Sequence, residues 1–396
     1  MFRRLKSPQH CIFRRLKSPQ LRIAINTRFL LPGKLEGLGW YTHEIVRRMV
    51  LAHPEDEFVF LFDRPYDQAF VYADNVTPVV VPPPARHPVL WYAWFEWAVP
   101  LVLKRYAPDV FFSPDGYCSL GSRVPTVMTL HDVIPLNHPE RIPWAPRLYY
   151  QHYLPRFAHR ANQIISVSEH VKQDIIDTCG VSQEQISVVY NGIRNGFQPQ
   201  DEAAQQLIRK AFSHGKPFFL YTGAIHPRKN VDLLIRAFDQ FKSMASNDVQ
   251  LILAGRFAWQ TGLVKTAYES AVHRNAIHFL GYVPDQDLPG LYGAAVALVN
   301  LSADEGFGLP LVEAMACGTP VVASDIPVFR EIGGDAVLFV DQSSTAQVAT
   351  GLQQVLEKKL LRTHLISVGK MRSNRFNWDD AAQSIYLVLR QCCTHI

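Results

Sequence analysis

The chain is poor in cysteine and in long apolar runs. Its 396 residues hold six scattered cysteines, Cys11, Cys118, Cys179, Cys317, Cys392 and Cys393, with no C-x-x-C pair and no metal-like spacing. That argues against a disulfide framework and for a reducing compartment, the cytosol. No apolar stretch approaches the roughly 20 residues a helix needs to span a bilayer. The six-residue glycine fingerprint of dinucleotide folds is missing, as is the G-K-[ST] of a P-loop. Excess charge is missing too, once the first 20 residues are set aside. They carry Arg3, Arg4, Lys6, Arg14, Arg15 and Lys17 and no acid; removing these six from the net +5 leaves −1 for the rest. A body so nearly neutral is not expected to take nucleic acid as a partner.

What is present is enough apolar sequence for two or three domains, at 48% hydrophobic and 19% charged. Residues 1–20 repeat FRRLKSPQ twice and read as a disordered, duplicated basic tail. Strand-like runs follow at Leu21–Asn26, Glu57–Phe62, Thr77–Val81, Asp109–Ser113, Thr126–Leu130, Gln163–Val167 and Ile186–Tyr190, with helical patterns such as Tyr41–Leu51 and Glu169–Thr178 between them. A second series runs Pro217–Thr222, Val249–Ala254, Ile277–Leu280, Val296–Asn300, Pro320–Ala323 and Val337–Val340. Alternating strands and helices predict parallel sheets covered by helices. The expected fold is α/β: two tandem Rossmann-like, doubly wound domains facing across a cleft. The expected boundaries are 21–195, a polar linker at 196–216, 217–376, and a terminal helix at 377–396.

Chemistry concentrates at strand-to-helix junctions. Glu305-Gly-Phe-Gly-Leu-Pro-Leu-Val-Glu313 lies between an apolar strand and a helix-like run, Leu311–Cys317. Glycines let backbone N–H groups approach a ligand, and a helix N-terminus favours an anion. Glu305 is expected at the pocket edge, and Glu313 about two turns into the helix, where it can accept from sugar or ribose hydroxyls. Thr222-Gly-Ala-Ile-His-Pro-Arg228-Lys229-Asn230 joins another strand to a helix, and its cation pair suits a diphosphate. Three weaker signals are His131-Asp132 at a strand end, Gly37-Leu-Gly39 before a helix, and Trp91-Tyr-Ala-Trp94-Phe-Glu-Trp97. The aromatic run reads as a packed helix with room for one exposed ring. Asp285-Gln-Asp287 is formally a DxD but reads as a cap on the helix after it.

Together these residues resemble the large family of retaining, nucleotide-sugar-dependent glycosyltransferases of GT-B fold, the group 1 or family-4-like enzymes. The resemblance runs from Leu21 to the C-terminus. It is most specific over Glu305–Glu313 and the following AMACGTPVVAS. Tyr221-Thr-Gly, Arg228-Lys229-Asn230, Gly281-Tyr-Val-Pro284, His131-Asp132 and Ser166-Val-Ser168 also match. One departure is Glu36, which stands where the family often has the first glycine of Gly-Gly-x-Gly.

The resemblance implies roles. Arg228 and Lys229 would bind the donor diphosphate, with Thr222, Gly223 and Gly39 nearby. Glu313 would hold the ribose, and Tyr282 and Val283 would line the base pocket. Glu305 and the segment Gly306, Phe307, Gly308 and Leu309 would hold sugar and phosphate, and His131 would contact the sugar near the reacting carbon. It further implies no cofactor and no metal, a nucleotide-sugar donor, and a glycan or lipid-linked acceptor on the first domain. A cytoplasmic location with loose contact at the inner face of the membrane fits such acceptors. The expected activity is transfer of a mannose- or glucose-type hexose in cell-surface polysaccharide or glycolipid synthesis. A nucleotide-sugar epimerase or hydrolase of the same shape, or a non-catalytic nucleotide-sugar-binding protein, is the alternative.

Overall fold

A computed structural model describes residues 20–33, 35–244, 247–258 and 261–394. Apart from Gln20, the duplicated basic segment lies outside them. Thirteen strands form two parallel sheets among the described residues. The first holds β1 (Arg22–Asn26), β2 (Glu57–Phe62), β3 (Val76–Val80), β4 (Val110–Ser113), β5 (Thr126–Leu130), β6 (Gln163–Ser166) and β7 (Ile186–Val188), in the order β3-β2-β1-β4-β5-β6-β7. The second holds β8 (Phe218–Thr222), β9 (Gln250–Ala254), β10 (Ile277–Gly281), β11 (Ala297–Asn300), β12 (Val321–Ser324) and β13 (Val337–Val340), in the order β10-β9-β8-β11-β12-β13. Central strands such as β8, β9 and β12 are buried along their whole length. This is what near-continuous apolar sequence gives when helices cover both faces. The expected two-domain α/β architecture is observed.

Helices pack by simple periodicity. Helix Val231–Met244 buries Val231, Leu234, Ile235, Phe238 and Phe241 on one stripe. The terminal helix, Trp378–Thr394, leaves the second domain and lies against helix Gly37–Ala52. There Trp378, Ala382, Ile385 and Leu389 join the same core as Tyr41, Ile45 and Met49. Arg48 Nε donates to Asp379 at 2.6 Å, and Tyr386 Oη donates to Asp56 at 2.6 Å.

Two local readings change and a third holds. Residues 196–216, expected as a linker, carry helix Glu202–Ser213, which Asp201 caps by accepting from Ala204 N at 2.8 Å. Arg209 Nε donates to Ala294 O at 3.0 Å, so this helix packs on the second domain. Asp287 occupies the N-cap position of helix Leu288–Ala294 but makes no side-chain capping bond, while Asp285 binds Arg194 instead. In the aromatic run, Trp94 and Phe95 are buried, and Trp94 Nε1 donates to Val81 O at 2.7 Å. The packed helix is there, with a π-helical turn at Trp94–Ala98, and its exposed ring is Trp97.

Candidate active site

Each sheet reverses strand order once, where β1 separates β2 from β4 and β8 separates β9 from β11. Crevices open beyond the carboxyl ends of strands at such points. In the second domain the loops there are 223–230 and 301–308. Local bonds lace them together. Asn230, in a left-handed conformation at φ 49°, donates its side-chain N–H to Leu301 O at 2.9 Å, and Ala303 N donates to Arg228 O at 2.9 Å. Ser302 Oγ lies 2.6 Å from Asn300 Oδ1 and 2.9 Å from Glu305 Oε1.

This lacing brings Arg228 Nη1 to 2.7 Å from Glu305 Oε2 and sets Lys229 Nζ on Oε1. Arg228 also donates to Asp304 O at 2.7 Å. Burial opposes a charge on Glu305, but Lys229 and Arg228 override it and hold the carboxyl down at about 2. Burial lowers the Lys229 ammonium, against the pull of Glu305. It also pushes His226 down to about 4, helped by Arg228 and Lys229. Arg228 and Lys229 share the Glu305 carboxylate, with Asp132 and Asp304 acting on Arg228 from farther off. Helix Leu309–Ala316 begins four residues after Glu305; Pro310 carries no N–H and Leu311 N donates to Gly308 O at 2.9 Å, so the positive end of the helix dipole is presented chiefly through Leu309. The complement of such a place is an anion.

Glu313 does not join that trio. It is the fifth residue of its helix, in the second turn and so nearer the start than expected, and it is buried. Arg194 Nε and Nη2 donate to Glu313 Oε1 at 3.1 and 2.9 Å, and Tyr292 Oη donates to Oε2 at 3.0 Å. Tyr292 Oη also lies 2.6 Å from Thr222 Oγ1. Burial raises the Glu313 carboxyl while Arg194 lowers it. This network walls a cavity of ≈ 340 Å³ between the domains. Thr222, Gly223, Tyr282, Val283, Leu309 and Glu313 all line it. Tyr282 is exposed at its mouth, and Val283 is buried in its wall. Across the mouth, Arg256 Nε and Nη2 donate to Glu36 Oε1 and Oε2, each at 2.9 Å.

From the first domain, His131 Nε2 lies 2.8 Å from Pro114 O, and its ring meets Tyr41 edge-on at 4.5 Å. Burial lowers its pKa, so the ring is neutral near pH 7. The carbonyl partner requires the proton on Nε2, which leaves Nδ1 as an acceptor. A Cβ on Gly306 would stand 1.9 Å from His131 O, so only glycine lets the two domains meet here. Ser168 Oγ donates to Gly306 O at 2.8 Å beside that contact. Asp132 lines two adjoining cavities, of ≈ 410 and ≈ 660 Å³. Gly39 is buried, and the space its side chain would need is taken by Phe29 O at 2.8 Å, so packing accounts for this glycine.

Sequence reasoning missed Arg194, which also stacks 4.9 Å from the Trp40 ring centroid. It missed Tyr292, Asp285 as a partner of Arg194, and the Glu36–Arg256 pair as well. Two of these carried a sequence signal, Glu36 in place of a glycine and Asp285 within the formal DxD.

Comparison with known proteins bears on the family and the fold. The family model for glycosyl transferases group 1 matches residues 204–372, and that for glycosyltransferase family 4 matches 35–195. The chain is 27% identical over 362 residues to O-antigen chain mannosyltransferase B of Escherichia coli, covering 87% of this chain and 93% of that one. It is 29% identical over 302 residues to O-antigen chain mannosyltransferase RfbU of Salmonella typhimurium, covering 73% and 79%. The crystal structure of Anabaena Alr3699/HepE in complex with UDP and glucose superposes with a TM-score of 0.73 at 21% identity, over 94% of this chain and 100% of that one. The two family models cover the two sheet domains in turn, and the chain belongs to the group 1 glycosyltransferases of GT-B fold.

Proposed function

We propose that the protein is a retaining hexosyltransferase that moves a mannose- or glucose-type sugar from a nucleoside-diphosphate donor to an acceptor hydroxyl in surface-polysaccharide or glycolipid synthesis. The observation that carries this reading is the convergence of Arg228 and Lys229 on Glu305 beside the start of helix Leu309–Ala316. The relatives named as O-antigen mannosyltransferases support the polysaccharide assignment and favour mannose. The neighbour solved with UDP and glucose supports a nucleotide in the interdomain cavity.

In this reading the diphosphate lies across the N-terminus of helix Leu309–Ala316. As the glycosidic bond breaks, charge grows on the departing phosphate. Arg228, Lys229 and the loop N–H groups stabilise it there, a fixed electrostatic term of the kind that dominates many enzymes. That arrangement takes the place of a metal ion. Glu305 keeps the two cations oriented and charged. Glu313, with Arg194 and Tyr292 behind it, presents a carboxylate to the ribose. Neutral His131 offers Nδ1 to a sugar hydroxyl. No side chain among the described residues stands out as a nucleophile, so the leaving phosphate takes the acceptor proton on the face where it departs, which retains the anomeric configuration.

A thermal-shift panel of nucleoside diphosphates and nucleotide sugars identifies the donor, since binding to the folded state raises the melting temperature. Arg228→Ala and Lys229→Ala are each expected to lower transfer by about 10²-fold or more. Proton NMR of the product reads the anomeric configuration. Turnover undiminished in both variants, or an inverted product, sinks the assignment.

A further inference from the structure

We infer that the acceptor is an oligosaccharide whose terminal ring sits where two cavities join, lying on Trp91 with one hydroxyl held by Asp132 and another by Tyr150. This rests on the glycosyltransferase reading and adds the chemical class of the second substrate. The ≈ 410 Å³ and ≈ 660 Å³ cavities share four lining residues, Trp91, Asp132, Pro135 and Tyr150, all from the first domain. The smaller cavity continues to Arg228, on the donor side. The larger one continues to Arg86, which is exposed. A ligand at the junction therefore has the reacting centre at one end and a way out to solvent at the other.

The junction offers an acceptor, a donor and a flat face. Asp132 is the acceptor. Its Oδ1 accepts from Ile134 N at 3.2 Å, and Oδ2 has no hydrogen-bond partner among the described residues. The other carboxylate on these walls, Asp115, is already engaged. Arg28 Nε donates to its Oδ2 at 2.5 Å, and Ser113 Oγ and Tyr117 N donate to its Oδ1 at 3.1 and 3.3 Å. Tyr150 is the donor. Tyr117 Oη donates to Tyr150 Oη at 2.8 Å, which leaves the Tyr150 proton for a ligand. Trp91 is the flat face, and it is fixed. Its Nε1 donates to Ala85 O at 3.0 Å, and Tyr117 and Tyr149 meet its ring edge-on at 5.7 and 5.3 Å. A sugar ring has the matching pattern: an apolar C–H face, and hydroxyls that both donate and accept. Binding sites commonly combine apolar walls with a few placed polar groups in this way. A lipid chain here would leave the Asp132 charge without a partner, and a phosphate would be repelled by it. The hydroxyl that reacts is a neighbour of the one on Asp132, so its own proton still passes to the departing phosphate oxygen.

The test is saturation-transfer NMR on the full chain, with mannobiose and maltose as saccharide probes and octyl phosphate as the lipid-like one, each with and without GDP or UDP. At least one disaccharide is expected to bind, with saturation strongest on the C–H protons of one ring. Asp132→Asn keeps the shape and the Ile134 contact, and is expected to weaken saccharide binding about tenfold. The rise in melting temperature given by GDP or UDP is expected to hold in that variant, because only a negative charge near Arg228 is removed. Trp91→Leu is expected to abolish saccharide binding and Trp91→Phe to keep part of it. If both Trp91 variants melt early, Asp132→Asn decides alone. Three results would each overturn the inference. In the first, neither disaccharide binds. In the second, octyl phosphate binds in their place, which makes the occupant a lipid. In the third, Asp132→Asn binds saccharide like the wild type, or loses saccharide and nucleotide in equal measure, which makes its role structural. A failure of both GDP and UDP to bind counts against the donor reading instead, and the saccharide measurements without nucleotide still decide the acceptor.

Discussion

A carboxylate shared by two half-buried cations is costly to remove, because both charges then lose their counter-ion where water reaches them only in part. Glu305→Gln does this to Arg228 and Lys229. It is expected to cost about 3 kcal/mol of stability near neutral pH, before any effect on catalysis. The pH dependence has a definite sign. Glu305 titrates at about 2 in the folded protein, below its ordinary 4.5, so its stabilisation is complete above about 4.5 and is lost as pH falls through 2. Urea unfolding of wild type and variant should therefore converge as pH falls through that window; a constant gap would show that the ion pairs are not its source. Arg228, Lys229 and Glu305 were legible in the sequence because each lies in a short motif at a strand end. Arg194 was not. It is a lone arginine in a loop, and its partners Asp285 and Glu313 are 91 and 119 residues away. Only the fold supplies that proximity.

Elements were legible where periodicity is strong. All thirteen strands stand out as apolar runs, because sheets covered on both faces demand them. Helix Glu202–Ser213 was hidden by its thin apolar stripe. Ile208 and Phe212 face inward, but Leu207 is exposed and the rest is alanine or polar, so the segment reads as a linker. Junctions between elements are the least legible of all. A Cβ on Gly192 would stand 2.2 Å from Trp378 N, at the point where the terminal helix docks. Gly192→Ala is expected to shift that helix and cost about 2 kcal/mol, an overpacking penalty readable by chemical denaturation. An unchanged unfolding midpoint would mean that the backbone yields there without loss.

Polar contacts cross between the two domains beside an apolar cluster that contains side chains of both. One is a cap supplied in trans: Glu331, on helix Pro327–Gly333, accepts from Glu169 N at 2.7 Å and His170 N at 2.9 Å, at the start of helix Glu169–Cys179. A carboxylate at a helix N-terminus typically contributes about 1 kcal/mol. Glu331→Ala is expected to shift the molecule towards a more open arrangement, seen as a larger radius of gyration in small-angle scattering and a weaker donor affinity. Identical scattering and affinity would show that closure rests elsewhere, on Ser168–Gly306 and the Glu36–Arg256 pair. None of these contacts could be read from sequence, since each joins residues more than 130 positions apart.

The terminal helix gives the first domain an unusual order of manufacture. Tyr41, Ile45 and Met49 leave the ribosome early, yet the side chains that cover them, Ile385 and Leu389 among them, are made more than 330 residues later. The domain begun first is completed last, and its greasy floor must wait, shielded by chaperones or by transient collapse, until the whole second domain has been synthesised. A gene fragment ending near residue 195 is for the same reason expected to yield aggregates rather than a half-enzyme.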